Sequence, residues 1–244
     1  MRRQPAKEHG AFMTDEKQAM AVKGRPRALR DTPRQVRVVA HRTGTAAAVI
    51  GALRPGDRIT GVTAGQFSAI DAMEHLIGEL GPDAVVRVST WTTGLYDAQR
   101  AADMRLEGRV KEIRFIVDRG TFEKSPRYAG GLIERLGVDS FRCLSVHAKV
   151  IIVSGANGSA AMRTSMNLNK NLRTEQFDID VGGEVPAFYS EWFDTLWDEA
   201  GRSNNNREII QAVFDRFKAG EDLGADKPAF DEGAFELPWA PGNA

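Results

Sequence analysis

From about residue 36 to residue 200 the chain alternates between a two-residue and a three-to-four-residue hydrophobic period. Segments 36–40 (VRVVA) and 58–63 (RITGVT) have the character of strands. Between them, 46–53 (AAAVIGAL) reads as a short helix closed by the turn Arg54-Pro55-Gly56-Asp57. Ile70, Met73, Leu76, Ile77 and Leu80 recur at helical spacing over 68–80, and Gly81-Pro82 ends that helix. The runs 84–89 (AVVRVS) and 113–117 (IRFIV) are almost continuously apolar, as in strands covered on both faces, and 95–108 between them is an amphipathic helix. A loop through Ser125-Pro126 and a helix at 128–136 are expected next. Residues 141–146 and 150–153 read as one long strand running through residue 147, and Gly155-Ala156-Asn157-Gly158 turns it back into a strand at 160–164. Strand alternation returns at 176–182. The helix at 187–200 presents Phe188, Trp192, Leu196 and Trp197 on one face, and a last helix covers 207–218 after a capping turn at Asn204-Asn205-Asn206.

Strands alternating with helices predict an α/β fold, a mixed β-sheet flanked by helices on both faces. The expected organisation is a basic flexible arm over 1–34, one folded domain over 35–200, and a C-terminal helix with an acidic tail over 201–244. Charge follows those boundaries although the formal total is zero. Residues 1–37 hold ten Lys or Arg against four acids, and residues 220–244 hold six acids against one lysine. A basic arm suits a polyanion partner through counterion release, and it equally suits a solvated tail.

Composition removes several classes. Cys143 is the only cysteine, so neither an intramolecular disulfide nor a zinc site built on paired cysteines is available. Four histidines argue against a His-rich metal cluster. No apolar run approaches a membrane span, and the basic start MRRQPAKEHG is followed by no apolar signal segment. The expectation is a cytoplasmic protein with no membrane association and no cofactor.

The chemistry concentrates at His147-Ala148-Lys149. In a strand, residues two apart share a face, so His147 and Lys149 would project together. A neutral imidazole can attack phosphorus, and an ammonium beside it can hold non-bridging oxygens as their charge grows. Downstream stand Thr164-Ser165-Met166-Asn167 and then Glu175. This series resembles the phospholipase D superfamily, whose members carry His-x-Lys, four residues, Asp, about six residues, Gly-Ser-x-Asn and a later Glu. Ser154 stands where the family has Asp, Thr164 where it has Gly, and the interval is three residues longer.

The resemblance implies that the core is one phospholipase D-like repeat. It also implies His147 as nucleophile, Lys149 and Asn167 as phosphate ligands, Ser165 as a supporting hydrogen bonder and Glu175 as orienter of the imidazole. Family enzymes join two such motifs. No second His-x-Lys is found here, since His9, His41 and His75 each lack the lysine. The resemblance therefore implies a homodimer that brings two copies of His147 together, as in the small single-motif nucleases of the family. Three readings stand: a metal-independent nuclease working through phosphohistidine, a catalytically degenerate nucleic-acid-binding module that keeps the phosphate site, and, least favoured, lipid phosphodiester transfer.

Lys23-Gly24-Arg25-Pro26-Arg27 resembles the Gly-Arg-Pro core of an AT-hook, which lies in the minor groove of DNA. Lys23, Arg25 and Arg27 are thus candidate nucleic-acid contacts, with DNA the expected partner. Trp91-Thr92-Thr93-Gly94, Tyr96, Asp118 and Arg119 follow strands and are candidate rim residues.

Overall fold

A computed structural model of the protein describes residues 35–40, 45–91, 93–124, 126–168 and 173–220. The first half runs β1 (Gln35–Ala40), α1 (Ala46–Ile50), β2 (Asp57–Ala64), α2 (Ala69–Leu80), β3 (Ala84–Thr90), α3 (Leu95–Leu106) and β4 (Val110–Asp118). Then come α4 (Arg119–Lys124), α5 (Pro126–Leu136), a 3-10 turn (Val138–Ser140), β5 (Phe141–Leu144), β6 (Val150–Gly155), β7 (Gly158–Thr164), β8 (Thr174–Val181), α6 (Glu184–Gly201) and α7 (Asn204–Lys218). Lys23, Arg25, Arg27 and the rest of the basic arm, with the acidic tail beyond residue 220, lie outside the described residues.

Eight strands form one mixed sheet in the order β1-β2-β8-β7-β6-β3-β4-β5. β1 pairs parallel to β2, β3 to β4 and β4 to β5, and the remaining neighbours are antiparallel. Helices cover both faces. In β6 the alternation is direct: Ile151 and Val153 join the core beneath α2, α3, α5 and α7, whereas Val150 and Ile152 join Phe193, Trp197 and Ala200 of α6 on the other face. All four are buried, which is why their run in the sequence is unbroken. Each such side chain contributes roughly 1.5–3 kcal/mol through burial. Arg87 on β3 completes the docking of α6, its Nε and Nη2 donating to the two carboxylate oxygens of Asp194 at 2.8 and 2.9 Å.

Local signals explain several boundaries. The Asp71 carboxylate accepts from the Ser68 backbone N–H at 2.8 Å and opens α2 as a capping residue. The β6–β7 hairpin tip is fixed to the end of the same helix, with Asn157 N–H donating to Leu80 O at 2.9 Å. A Cβ on Gly155 would stand 2.4 Å from that carbonyl, so the close approach admits only glycine.

Four details differ from the sequence reading. The strand expected through residue 147 is two strands, β5 and β6, with β4 and β3 between them in the sheet. Residues 119–124 are helical where a loop was expected. On α6 the deepest side chain is Phe193, at 0% exposure, rather than Trp192 or Leu196, which are only partly buried. Finally, Asn206 lies inside α7 and does more than cap. Its amide accepts from Cys143 N–H at 3.1 Å and donates to Cys143 O at 2.6 Å, covering the outer edge of β5 that would otherwise leave unpaired backbone groups.

Candidate active site

One edge of the sheet gathers the chemistry. Leu144 at the end of β5 pairs with Asp118 at the end of β4, and Val150 at the start of β6 pairs with Ser89 near the end of β3. Segment 145–149 therefore crosses the carboxyl ends of β4 and β3, the place where α/β sheets tend to hold ligands. β7 ends and β8 begins at this same edge, because Val150 pairs with Arg163 and Thr164 with Phe177. The His-x-Lys segment and the Ser165–Glu175 elements are thus brought to one edge by topology.

His147 is exposed and lies in this connection rather than in a strand. Its Nε2 is 3.5 Å from Lys149 Nζ, which also donates to the His147 carbonyl at 3.2 Å. The expected juxtaposition is present, built by an extended connection instead of a strand. Ser89 holds the segment from below: fully buried, its hydroxyl donates to the Ala148 carbonyl at 2.8 Å. On the opposite side the indole of Trp91 lies against the imidazole, with ring centroids 5.5 Å apart and planes tilted by 60°.

The second half is organised by Thr164 and Ser165. Thr164 is buried; its hydroxyl donates to Gln176 O at 2.6 Å and accepts from Met166 N–H at 3.0 Å. The hydroxyl of Thr164 is therefore spent on backbone at the turn. Ser165 Oγ donates to a Glu175 carboxylate oxygen and accepts from Gln176 N–H at 3.0 Å. Glu175 is thus bonded to the serine and not to the imidazole, which differs from the role the resemblance implies. Asn167 Oδ1 is buried without a hydrogen bond among the described residues. Leu168 ties the halves together: its N–H donates to Thr90 Oγ1 at 3.5 Å, and its carbonyl accepts from Gly94 N–H at 2.5 Å.

Ser89 and Thr90 are site-supporting residues that the sequence did not single out. The only mark they leave is a hydroxyl pair closing an apolar strand. Ser154 sits at the far end of β6 from His147, paired with Ser159 and Val85. Tyr96 is exposed in the first turn of α3, and Arg119 bonds Glu123 at 2.9 Å on α4.

Partial burial pulls the Lys149 ammonium below its ordinary pKa, and the Glu175 carboxylate opposes that shift without cancelling it. A cation held in this way gains from an arriving anion, which raises its pKa again. The contribution of Lys149 to holding inorganic phosphate is therefore expected to be present at neutral pH. It should be lost as pH rises through a value below the ordinary 10.5 of lysine. Calorimetric titration across about pH 8 to 11 reads this directly, since Lys149→Arg, charged throughout, should stay flat. The same alkaline loss in both proteins would place the anion elsewhere.

No known family model and no curated protein sequence matches the chain. Among solved structures the chain is similar to a phospholipase D family member, Nuc from Salmonella typhimurium. That match has 17% sequence identity and a TM-score of 0.40, and it covers 59% of this chain and 93% of the other. Among the described residues no helix is long and apolar enough to cross a membrane.

Proposed function

We propose that the protein is a phospholipase D-like phosphodiesterase, most directly a metal-independent DNA endonuclease that works through a phosphohistidine in a homodimer. The observation that carries this reading is the exposed His147 imidazole with the Lys149 ammonium 3.5 Å away, beside Ser165, Asn167 and Glu175 at one sheet edge. A nucleophile and a phosphate-holding cation are what attack on a phosphodiester requires.

The balanced sequence uses two copies of His147. The Nε2 lone pair of neutral His147 forms the N–P bond as the bond from phosphorus to the leaving oxygen breaks. That oxygen takes a proton from the imidazolium of the second copy. Water then attacks phosphorus while passing a proton to the second copy, and the N–P bond breaks to return both histidines to their starting states. Lys149 and Asn167 hold the non-bridging oxygens, and Ser165 is kept in place by Glu175. The only other described histidine, His75, is engaged with Gly51 O at 2.8 Å, so a single chain offers no second imidazole at this edge among the described residues.

The test is incubation of the purified chain with plasmid DNA and single-stranded oligonucleotides in EDTA, with the oligomeric state read by sedimentation. Cleavage that survives chelation, by a dimer, is the expected result. A stable monomer that cuts would remove the two-histidine scheme. Retardation of DNA without cutting would instead make the chain a binding module that keeps the phosphate site.

A further inference from the structure

Trp91 is 42% exposed, and its indole stands directly against the candidate nucleophile. Large aromatic side chains left in water forgo the burial that stabilises most of their kind. Nor does this one hang on a loose segment. Thr93 is bridged to Leu168, and Gly94 N–H donates to Leu168 O at 2.5 Å, so the chain is held two and three residues after the indole. The result is a fixed, solvent-facing π-surface at the rim of a site read above as taking a phosphodiester.

We propose that Trp91 is a base-stacking platform, and that the phosphodiester this site takes belongs to an unpaired nucleotide of single-stranded nucleic acid. The inference rests on the phosphodiester reading above and adds the substrate class. In a nucleotide the base stands one sugar away from its phosphate, so a phosphate held by Lys149 puts a flanking base within reach of an indole that touches His147. A base inside a duplex already has both faces covered by its neighbours and presents none to a side chain. An unpaired base presents its whole face, and stacking on an aromatic ring tolerates any base identity. A lipid phosphodiester has no such face. Tyr96, 58% exposed in the first turn of α3, is a second solvent-facing aromatic five residues on, with the Arg100 guanidinium, itself paired to Asp71 and Glu74, 5.5 Å from its ring centroid.

The alternative role for Trp91 is simply to steady the His147 ring. The two roles separate by whether the effect of removing the indole depends on the presence of a base. Binding is measured by fluorescence anisotropy at fixed salt with full-length His147→Asn protein, which avoids cleavage. The probes are a single-stranded oligonucleotide, the same strand with abasic sites at its central positions, and the duplex. The base-bearing strand is expected to bind roughly tenfold or more tightly than the abasic one. Trp91→Ala in that background should bring this ratio close to one, whereas Trp91→Phe should keep most of it. A ratio unmoved by Trp91→Ala, or a preference for duplex over single strand, overturns the proposal. Equal affinity for base-bearing and abasic strands overturns stacking alone and leaves the phosphate site standing. Failure to bind any strand removes the phosphodiester reading along with it.

Discussion

His147→Ala is expected to lower chelator-resistant phosphodiester cleavage by about 10⁴-fold or more, the scale seen when a covalent nucleophile is removed. Lys149→Ala should cost less, on the order of 10²- to 10³-fold, because losing one charge-stabilising donor leaves the reaction path intact. That ranking is the informative part. A nucleophile and a phosphate ligand both reduce rate when deleted, but only the nucleophile makes the bond whose absence closes the route. Stability should hardly change in His147→Ala, since His147 is exposed in the 145–149 connection and solvent-facing substitutions usually fall within about 0.5 kcal/mol. The measurements are initial cleavage rates in EDTA and a urea unfolding curve for each protein. His147→Ala cutting within tenfold of wild type would end the assignment of this residue as nucleophile.

Where a local period encodes an element, the sequence revealed it. The apolar runs of β3, β4 and β6 announce strands covered on both faces, and the structure places each of them inside the sheet with a strand on either side. The helix opening at Ser68 was legible through its spacing and its closing Gly81. What stayed hidden depends on partners distant in sequence. Residues 145–149 contain neither Gly nor Pro and are flanked by strand formers, so nothing local marks a break. The break comes from Leu144 pairing with Asp118 while Val150 pairs with Ser89, which leaves β4 and β3 between β5 and β6. Residues 119–124 (RGTFEK) are too short to express a helical period, and Gly120 lies among them.

The site divides along the same line. His147 and Lys149 were singled out as a tripeptide, and Ser165, Asn167 and Glu175 through the family resemblance that the tripeptide opened. Their convergence on one edge follows from β6, β7 and β8 being consecutive antiparallel neighbours. Their bonding was not legible: Glu175 serves Ser165, and Thr164 turns its hydroxyl to Gln176 and Met166. Ser89 acquires meaning only when the Ala148 carbonyl arrives above it, a contact 59 residues away in sequence.

Phe193→Ala is expected to destabilise the protein by about 3–5 kcal/mol, a large share of the 5–15 kcal/mol typical of a whole domain. The side chain is fully buried and stacks on Trp197 at 5.8 Å with planes 17° apart. It sits with Ile116, Ile152 and Ala161 in the cluster on its face of the sheet, to which α6 is the one helix that contributes among the described residues, so no second described helix stands there to close the cavity. Phe193→Leu, which keeps most of the volume, should cost less. The effect should also reach the site. Leu144, Val146 and Val150 belong to this same cluster and bracket the connection that carries His147. Loosening their packing is expected to speed amide exchange over 145–149 more than at the β6–β7 hairpin tip, which α2 holds from the opposite face. Urea midpoints at constant m-value measure the first effect, and exchange mass spectrometry the second. A loss under 1 kcal/mol, or exchange that rises equally at both places, would show that the α6 face does not support the site as its contacts indicate.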